Sequence, residues 1–500
     1  MRFLLFIVCL TSILPCSCGL KVAILPMMGG SHVLTMDIIT QQLIERGHET
    51  VTIISNQPGQ LRKMKPSPTV LYNVENPIIA GQRAANVTKL SLIGLVQSLF
   101  EIQRQYCEAT LANDTLVRLL DDVDIFVTDS LYICGVLVPE MLQKPNIIIS
   151  LGADIIGYHT FLADYADSTY IPMLGFFHST KLTMIQRAFN AAIKQFLLIT
   201  YSYMSSNLMN SLRYKFNIST QSSHYRIKRN PSLFLAACDF ALEYPRPLPP
   251  NIKVIGPLSP RPSSSLSKEL EDYMQASDNG IIVLSLGTEL QLPKGKATEM
   301  LKALAQIPYR VLWKGNQPEE TISDNVKVIK WMPQNDILGH NKTVGFITHC
   351  GANGLYEAAY HGVPMIGMPS MIEQKGNAGR MVGAGIGVLI NYHQFQAKDI
   401  VKAVQEITTN GRYKENVMKV SRILKSRPRA PRDVVVDWVE YVANTNGAHH
   451  LKVKGEELWL YEYYNLDVCL FIAMIMYFIY LMMRVCKNMM LGKQSKLKDD

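Results

Sequence analysis

Charged residues are scarce in this chain of 500 residues, because Asp, Glu, Lys and Arg make up only 18% of it while hydrophobic residues make up 48%. This balance excludes an intrinsically disordered protein and provides enough apolar material for two or three domain-sized cores. The sequence contains no internal repeat and no low-complexity segment. Its formal net charge is +9, but the basic residues are scattered and accompany no nucleic-acid-binding motif. We therefore exclude nucleic acid as a partner.

Cysteine is also infrequent, with nine residues whose spacing forms no recognisable disulfide framework. Four of them lie away from the two chain ends, namely Cys107, Cys134, Cys238 and Cys350. One stretch is richer in metal-binding residue types, with His340, His349, Cys350 and His361. Their spacing fits no paired-ligand pattern for zinc. We expect neither a metal ion nor a cofactor.

The N-terminus has the three parts of a secretory signal. Arg2 supplies a positive charge, residues 3–14 form an apolar run, and residues 16–19 are the small residues typical of a cleavage site. The alternative is a buried N-terminal strand, but the segment that follows already has the pattern of a first strand. Residues 1–19 are therefore predicted to be a signal peptide.

A second uncharged run, residues 468–483, lies near the C-terminus. We predict a transmembrane helix over 466–486, with a buried core helix as the alternative. Acidic residues precede the run and basic residues follow it, so the positive-inside rule places residues 487–500 in the cytosol and the body in the lumen. Lys496 and Lys498 resemble a dilysine retrieval signal. The expected location is the endoplasmic reticulum membrane, as a single-pass type I protein.

Asn-X-Ser/Thr sequons fit a luminal chain. They occur at Asn86, Asn113, Asn217 and Asn341, and the first three are our candidate glycosylation sites. Sequons also arise by chance, so they support the location without establishing it.

Hydrophobic periodicity divides the chain into two α/β halves. The first half opens with a strand at 22–25, a helix at 31–46 and a strand at 51–54, which is a βαβ unit. We assign residues 20–244 to an N-terminal domain. Seven prolines and a run of serines then indicate an interdomain connector over 245–278.

The second half repeats the alternation of strands and helices. Strands are predicted at 281–286, 311–313, 326–329, 344–348 and 364–368. We assign 279–427 to a second doubly wound domain and 428–465 to a closing helix and juxtamembrane segment. Open parallel sheets bind ligands beyond the carboxyl ends of their strands, so two such domains predict a cleft between them.

The segment that follows the predicted strand at 344–348 has features of a phosphate site. Residues 349–353 form a turn that leads into a helix, and free N–H groups at a helix start favour a phosphate. Trp331 can stack on a planar base, and Glu357 can accept hydrogen bonds from ribose. Each is weak evidence alone, because a lone Trp usually packs in a core and a lone Glu usually faces solvent.

Together these residues resemble the signature of the UDP-glycosyltransferases, in particular the animal UDP-glucuronosyltransferase-like branch. The signature continues through 362–365 to Glu373 and Gln374. Residues 30–32 and 128–129 also match the family, and the resemblance covers essentially the whole chain. It implies the α/β fold called GT-B, in which two doubly wound Rossmann-like domains face each other, the N-terminal one binding the acceptor and the C-terminal one the UDP-sugar, with a C-terminal transmembrane helix.

The resemblance also implies roles for individual residues. The uridine would contact Trp331, Gln334 and Glu357. The diphosphate would contact His349, Asn353 and Gly354 with help from Ser285. Gly351, like Gly354, lets the backbone approach the ligand closely. The donor sugar would contact Glu373 and Gln374, and Arg246 can pair with a glucuronate carboxylate. Cys350 departs from the glycine common at its position, and Glu373 stands where many relatives carry Asp.

His32 and Asp129 are the candidate catalytic residues. His32 lies at a helix start beyond the first strand, where the helix dipole favours the neutral imidazole that a base requires. Asp129 ends another strand, and a carboxylate there can orient the ring and stabilise the imidazolium. A histidine near a glycine turn is more often a cap or a packing residue, and the family resemblance is what assigns the catalytic role.

The expected activity is inverting transfer of a hexosyl group, most favourably glucuronosyl, from UDP-glucuronate or UDP-glucose to a hydroxyl of a small lipophilic acceptor. One alternative is a UDP-glucosyltransferase of the same fold. Another is a non-catalytic membrane protein that binds UDP-sugars or lipophiles. A receptor ectodomain is disfavoured by the short tail. The sequence leaves open whether the chain forms a homo-oligomer.

Overall fold

A computed structural model of the chain describes residues 19–27, 30–56, 67–74, 92–152, 167–218, 232–287, 292, 295–316, 321–453, 458 and 460–496. The predicted signal peptide, apart from Gly19, lies outside the described residues. The candidate glycosylation site Asn86 and the tail residue Lys498 also lie outside them.

The N-terminal lobe contains a sheet of seven parallel strands within the described residues, in the order β3-β2-β1-β4-β5-β6-β7. The strands are β1 Lys21–Leu25, β2 Glu49–Ser55, β3 Thr69–Tyr72, β4 Ile125–Asp129, β5 Asn146–Ser150, β6 Leu233–Ala236 and β7 Ile252–Val254. β4 and β5 are buried along their whole length, as expected for parallel strands covered on both faces. The strand order changes direction between β1 and β4, which creates a crevice at their carboxyl ends.

Helices cover this sheet. They are α1 Gly30–Glu45, α2 Leu92–Leu111, α3 Asp114–Leu119, α4 Cys134–Met141 and α5 Met184–Lys215. The long helix α5 begins with a capping box, in which the Thr183 side chain accepts from the Gln186 backbone and the Gln186 side chain accepts from the Thr183 backbone. α5 packs against α2, where the rings of Phe100 and Tyr201 lie 5.2 Å apart.

The C-terminal lobe contains six parallel strands within the described residues, in the order β10-β9-β8-β11-β12-β13. They are β8 Ile281–Ser285, β9 Arg310–Lys314, β10 Val326–Ile329, β11 Thr343–Thr348, β12 Met365–Gly367 and β13 Gly387–Leu389. The helices are α6 Lys268–Gln275, α7 Lys296–Leu304, α8 Gln334–Leu338, α9 Ala352–His361, α10 Ile372–Gly383, α11 Ala397–Thr409 and α12 Gly411–Lys425. The order changes direction between β8 and β11. The predicted pair of doubly wound sheets is confirmed.

Each lobe has one segment that is buried in the hydrophobic core of the other lobe. Helix α13, Pro431–Asn444, follows the C-terminal lobe, but its Val435 and Val439 belong to the same buried cluster as Met36 and Leu43 of α1. Cys238, which follows β6, is buried in the core of the C-terminal lobe. The two lobes therefore form one compact unit, which ends at Leu451.

The remainder of the described chain is a separate helical unit. It contains α14 Leu460–Tyr463 and α15 Leu466–Lys496. Within α15, Leu466–Met489 is the one helical stretch among the described residues that is long and apolar enough to cross a membrane, and none of it is buried. The predicted span over 466–486 lies inside this stretch.

Candidate functional site

His32 and Asp129 meet at the crevice of the N-terminal lobe. His32 lies in the first turn of α1, and Asp129 is the last residue of β4, which pairs with β1. The Nδ1 atom of His32 lies 2.7 Å from Oδ2 of Asp129, and the two side chains are 19% and 5% exposed. The other carboxylate oxygen accepts from the Leu131 backbone N–H at 2.8 Å. The structure therefore joins the two residues that the sequence predicted to act together, and Asp129 does not engage Nε2 of the ring.

Carboxylates determine the pKa of His32. Burial by itself lowers this pKa, but the charge and hydrogen bond of Asp129, with a further contribution from Glu373, raise it above the ordinary value of 6.5. These carboxylates act against the helix dipole, which we expected to favour the neutral ring. Glu373 lies on α10 of the other lobe, near enough to His32 for its charge to contribute to this shift.

Helix α2 holds the turn that follows Asp129. Gln103 donates from Nε2 to the Leu131 carbonyl at 2.6 Å, and its Oε1 accepts from the Ile133 N–H at 3.0 Å. A disulfide joins Cys107 of α2 to Cys134, the first residue of α4. The cysteine spacing did not reveal this bond, and nothing local in the sequence indicated a role for Gln103.

Two buried polar atoms lie at the crevice of the C-terminal lobe. Ser285 ends β8, and His349 follows Thr348, the residue of β11 that pairs with Ser285. The Oγ of Ser285 and the Nδ1 of His349 are buried without a hydrogen-bond partner among the described residues. Buried polar groups are normally satisfied, so this pair of atoms fits a bound polar ligand.

Glycines enclose the His349 ring. A Cβ added to Gly287 would lie 2.8 Å from its Nε2, and one added to Gly351 would lie 2.5 Å from it. Gly351 directly precedes α9, whose helix start offers free N–H groups. The glycines therefore bring the backbone close to the ring, as a phosphate site requires.

His349 and Lys314 make different electrostatic contributions at the carboxyl edge of the C-terminal sheet. Burial and, to a smaller extent, the charge of Lys314 lower the pKa of His349 to about 4, against the opposing effect of a hydrogen bond with the Ser285 backbone. His349 is therefore neutral near pH 7, and one of its two ring nitrogens can donate a hydrogen bond. Lys314 ends β9 beside Ser285, so it supplies a positive charge at this edge of the sheet. We did not single out Lys314 from the sequence, although its place at a strand end was a usable signal.

The predicted uridine contacts lie beside Lys314. The Trp331 side chain is 54% exposed, and the Lys314 Nζ lies 4.9 Å from its ring centre. Gln334 donates to Glu357 at 2.6 Å. Burial raises the pKa of Glu357 to about 7, against the effects of Gln334, Lys314 and nearby Arg261. Gly354 packs so closely that an added Cβ would lie 3.2 Å from the Gln334 amide.

Glu373 and Gln374 lie in the first turn of α10 but have different surroundings. Oε1 of Gln374 accepts from the backbone N–H groups of Ser370 and Met371 at 2.9 and 3.0 Å, so this oxygen caps the helix. Glu373 accepts from Asn377 at 2.6 Å. Desolvation by the surrounding protein raises the pKa of Glu373. A hydrogen bond from Asn377 and the charge of His32 act in the opposite direction.

Two contacts join the lobes next to these residues. Asn353, at the start of α9, donates to the Thr35 hydroxyl of α1 at 3.1 Å. Gly175, with a φ of 70°, lies so close to α10 that an added Cβ would stand 2.2 Å from the Lys375 carbonyl oxygen. The predicted diphosphate residue Asn353 thus connects directly to the helix that carries His32.

The structure does not place the remaining predicted residues in one group. Arg246 is buried, and its Nε donates to the Tyr244 carbonyl at 3.2 Å. Cys350 is buried with a φ of 63°, the left-handed conformation that glycine adopts readily, so its turn forms without glycine. Asn113 caps α3 by accepting from the Leu116 N–H, and Asn217 is exposed.

Comparison with known proteins decides the family. Residues 20–497 match the profile of the family described as "UDP-glucoronosyl and UDP-glucosyl transferase". The chain belongs to this family. It is therefore an enzyme, a UDP-glycosyltransferase, as the sequence signature predicted.

Curated relatives and solved structures agree with this assignment. The chain is 33% identical over 483 residues to mouse (Mus musculus) UDP-glucuronosyltransferase 1A9, covering 92% of this chain and 90% of the relative. It is 33% identical over 466 residues to human (Homo sapiens) UDP-glucuronosyltransferase 2A3, covering 88% and 87%. The structure resembles that of CalG4, the calicheamicin glycosyltransferase, with a TM-score of 0.60 and 16% identity over 85% of this chain and 99% of that one. The predicted GT-B fold is confirmed.

The nucleotide contacts can be tested by binding. Trp331→Ala removes a stacking surface and Glu357→Ala removes a hydrogen-bond acceptor, so each should weaken UDP binding by about 1–3 kcal/mol. Isothermal titration calorimetry measures the effect. The exposed residues Ile423 and Glu415 on α12 provide matched controls, Ile423→Ala and Glu415→Ala, which should bind UDP normally. Unchanged affinity in both site variants would refute the placement of uridine.

The raised pKa of Glu357 predicts a pH dependence. Ribose hydroxyls donate to the ionised carboxylate, so uridine affinity should fall as the pH drops through about 7 and Glu357 becomes protonated. Uridine is preferred to UDP because it has no phosphate to titrate in this range. NMR titrations of wild type and Glu357→Gln measure the effect, and the variant should lose the dependence. The same pH profile in both proteins would contradict the assignment.

Proposed function

We propose that this enzyme transfers a hexosyl group, most favourably glucuronosyl, from a UDP-sugar to a hydroxyl of a small lipophilic acceptor, with inversion at the anomeric carbon. The observation that carries the proposal is the pairing of His32 with Asp129 on one lobe, opposite Glu373 on the other. The unpartnered Ser285 and His349 atoms, with Lys314, lie at the matching edge of the second lobe. These observations support a base and a diphosphate site that face one cleft.

His32 would act as the general base. Its Nδ1 is engaged by Asp129, so Nε2 would accept the proton of the acceptor hydroxyl. The acceptor oxygen forms a bond to the anomeric carbon while the bond from that carbon to the UDP oxygen breaks, and UDP leaves with the electron pair. Asp129 stabilises the imidazolium that forms, and its own second oxygen is fixed by the Leu131 N–H.

The leaving diphosphate would be stabilised by groups of the C-terminal lobe. Lys314 supplies a positive charge, neutral His349 and Ser285 supply hydrogen bonds, and the start of α9 supplies backbone N–H groups. These groups provide charge stabilisation without a metal ion.

UDP-glucose is the alternative donor. The names of the relatives favour glucuronate, whereas the family description includes both sugars. Arg246, the proposed partner of a glucuronate carboxylate, is buried and donates to the Tyr244 carbonyl, and the acidic Glu373 lies near His32. The non-catalytic alternative is disfavoured because the His32–Asp129 pair is formed.

We further propose that the chain is an endoplasmic reticulum membrane protein with both lobes in the lumen. The apolar helix Leu466–Met489 supports anchoring, and the basic residues that follow it support a cytosolic tail. The disulfide Cys107–Cys134 supports an oxidising compartment for the lobes.

The base assignment predicts a specific kinetic pattern. His32→Ala should lower turnover by about 10²–10⁴-fold while UDP affinity stays near wild type, because His32 lies outside the nucleotide site. Asp129→Asn should give a similar or smaller loss, and the double variant should be no worse than the more damaged single one. Near-normal turnover of His32→Ala on a weakly acidic alcohol would show that the base is wrongly assigned.

The same pair predicts the pH profile. His32 must be unprotonated to act, and its pKa is raised, so kcat/KM should rise with pH with a midpoint above 6.5. Asp129→Asn removes the main cause of the raised pKa, and the midpoint should move to lower pH.

The donor is tested by initial rates with UDP-glucuronate and UDP-glucose on one phenol. The proposal expects faster transfer from UDP-glucuronate, and Arg246→Leu should lose this preference because it removes the only proposed partner of the carboxylate. A preference for UDP-glucose in wild type would select the alternative.

The topology is tested with sealed microsomes. Glycosidase should reduce the apparent size of the protein, and external protease should remove only the tail that follows the membrane helix. Digestion of the lobes in intact vesicles would contradict the luminal assignment.

A further inference from the structure

One face of helix α2 holds the turn that follows β4, and the proposed reaction gives this face no role. Gln103, Cys107 and Thr110 are spaced four and three residues apart, so they lie on the same side of the helix. Cys107 forms the disulfide with Cys134 at the end of the turn. The Thr110 hydroxyl lies 2.8 Å from that of Tyr132. Gln103 is the member of this face that is hydrogen bonded to the backbone of the turn.

The Gln103 amide is buried, and both of its ends have backbone partners. Nε2 donates to the Leu131 carbonyl at 2.6 Å, and Oε1 accepts from the Ile133 N–H at 3.0 Å. Nε2 also lies 3.3 Å from Sδ of Met27, in the segment that leads from β1 to α1. A carbonyl can only accept and an N–H can only donate, so the two backbone partners require a side chain that both donates and accepts.

Leu131 connects this amide to the proposed catalytic pair. Its carbonyl accepts from Gln103, while its N–H donates to Oδ1 of Asp129 at 2.8 Å. The other carboxylate oxygen of Asp129 lies 2.7 Å from Nδ1 of His32. Three hydrogen bonds therefore lead from α2 to the imidazole ring, and they pass through one backbone residue.

We propose that Gln103 is a positioning residue for the transfer reaction, because by fixing Leu131 it holds Asp129 in the orientation that engages His32. This inference rests on the proposed function, since Gln103 acts through the proposed base. Without the amide, the buried Leu131 carbonyl and the Ile133 N–H would each lose a partner, and the turn would rearrange to satisfy them. The carboxylate of Asp129 would then no longer be fixed against the ring.

The pH profile of kcat/KM distinguishes this role from a contribution to stability alone. Within the described residues, Asp129 and Glu373 are the charged groups that act on His32. Gln103 is uncharged, so an uncharged replacement changes the pKa of His32 through the geometry of these groups. A less firmly held Asp129 raises this pKa less, and the midpoint of the profile should move to lower pH.

The experiment uses the full chain with its membrane helix. Gln103→Met fills nearly the same space without the amide. We expect kcat/KM to fall about 10- to 100-fold, as for a displaced catalytic group, with the midpoint at lower pH. UDP affinity should stay at the wild-type value, because the proposed nucleotide site lies on the other lobe.

Thr110→Val is the matched control. It removes a buried hydroxyl from the same face of α2 but leaves the hydrogen bond between Gln103 and Leu131 in place. Thermal unfolding measures the stability that each variant loses. Thr110→Val should keep the wild-type midpoint of kcat/KM whatever its loss of stability.

Two further variants test whether Gln103 acts through Asp129. The double variant Gln103→Met, Asp129→Asn should be no slower than Asp129→Asn alone, because residues that act as a unit are not additive. Gln103→Asn keeps an amide that is one methylene too short to reach both backbone partners. It should move the midpoint in the same direction, and it serves as the test if Gln103→Met does not fold.

Three results would overturn the inference. A wild-type midpoint in the folded Gln103 variants would reduce the residue to a stabilising role. An equal shift in Thr110→Val would assign the effect to the whole face of α2. An additive loss in the double variant would show that Gln103 acts independently of Asp129. Near-normal turnover of His32→Ala would instead refute the proposed base, so the two failures are distinguishable.

Discussion

The site depends on holding two lobes at a fixed separation, because its parts come from both. His32 belongs to the N-terminal lobe, and Glu373, which changes its pKa, belongs to the C-terminal lobe. Helix α13 returns to pack on α1, and a buried ion pair joins Glu243 to Arg380 of α10 at 3.3 Å. A buried charge without its partner is strongly destabilising, so this pair fixes the segment that follows β6 against α10.

Two histidines at corresponding strand edges show how this arrangement divides the chemistry. His32 lies beside carboxylates, and its pKa is raised, whereas burial and Lys314 lower the pKa of His349. The same side chain thus suits proton acceptance on one lobe and neutral hydrogen bonding on the other. The difference arises from the neighbours and not from the position along each strand.

The sequence predicted most of the elements that surround the site, because apolar strands followed by glycine turns are local patterns. The strand at Val326–Ile329 was located to the residue. β3, β7 and β13 are too short to show a clear hydrophobic periodicity. α5 has apolar residues on both sides, so its helical periodicity is also unclear. Gln103 and the cysteine pair escaped notice because their partners lie far along the chain. The roles of individual site residues were implied by family resemblance and remain predictions.

The disulfide has a consequence for how the enzyme is produced. The ring closed by Cys107 and Cys134 contains β4, so Asp129 lies within a covalent loop. Closing a loop of this length stabilises a fold by about 3–4 kcal/mol in the chain-entropy description. A bacterial cytosol keeps thiols reduced, and protein made there would lack this restraint on the turn that fixes Asp129. The expression host therefore determines whether the enzyme is made with the disulfide that supports Asp129.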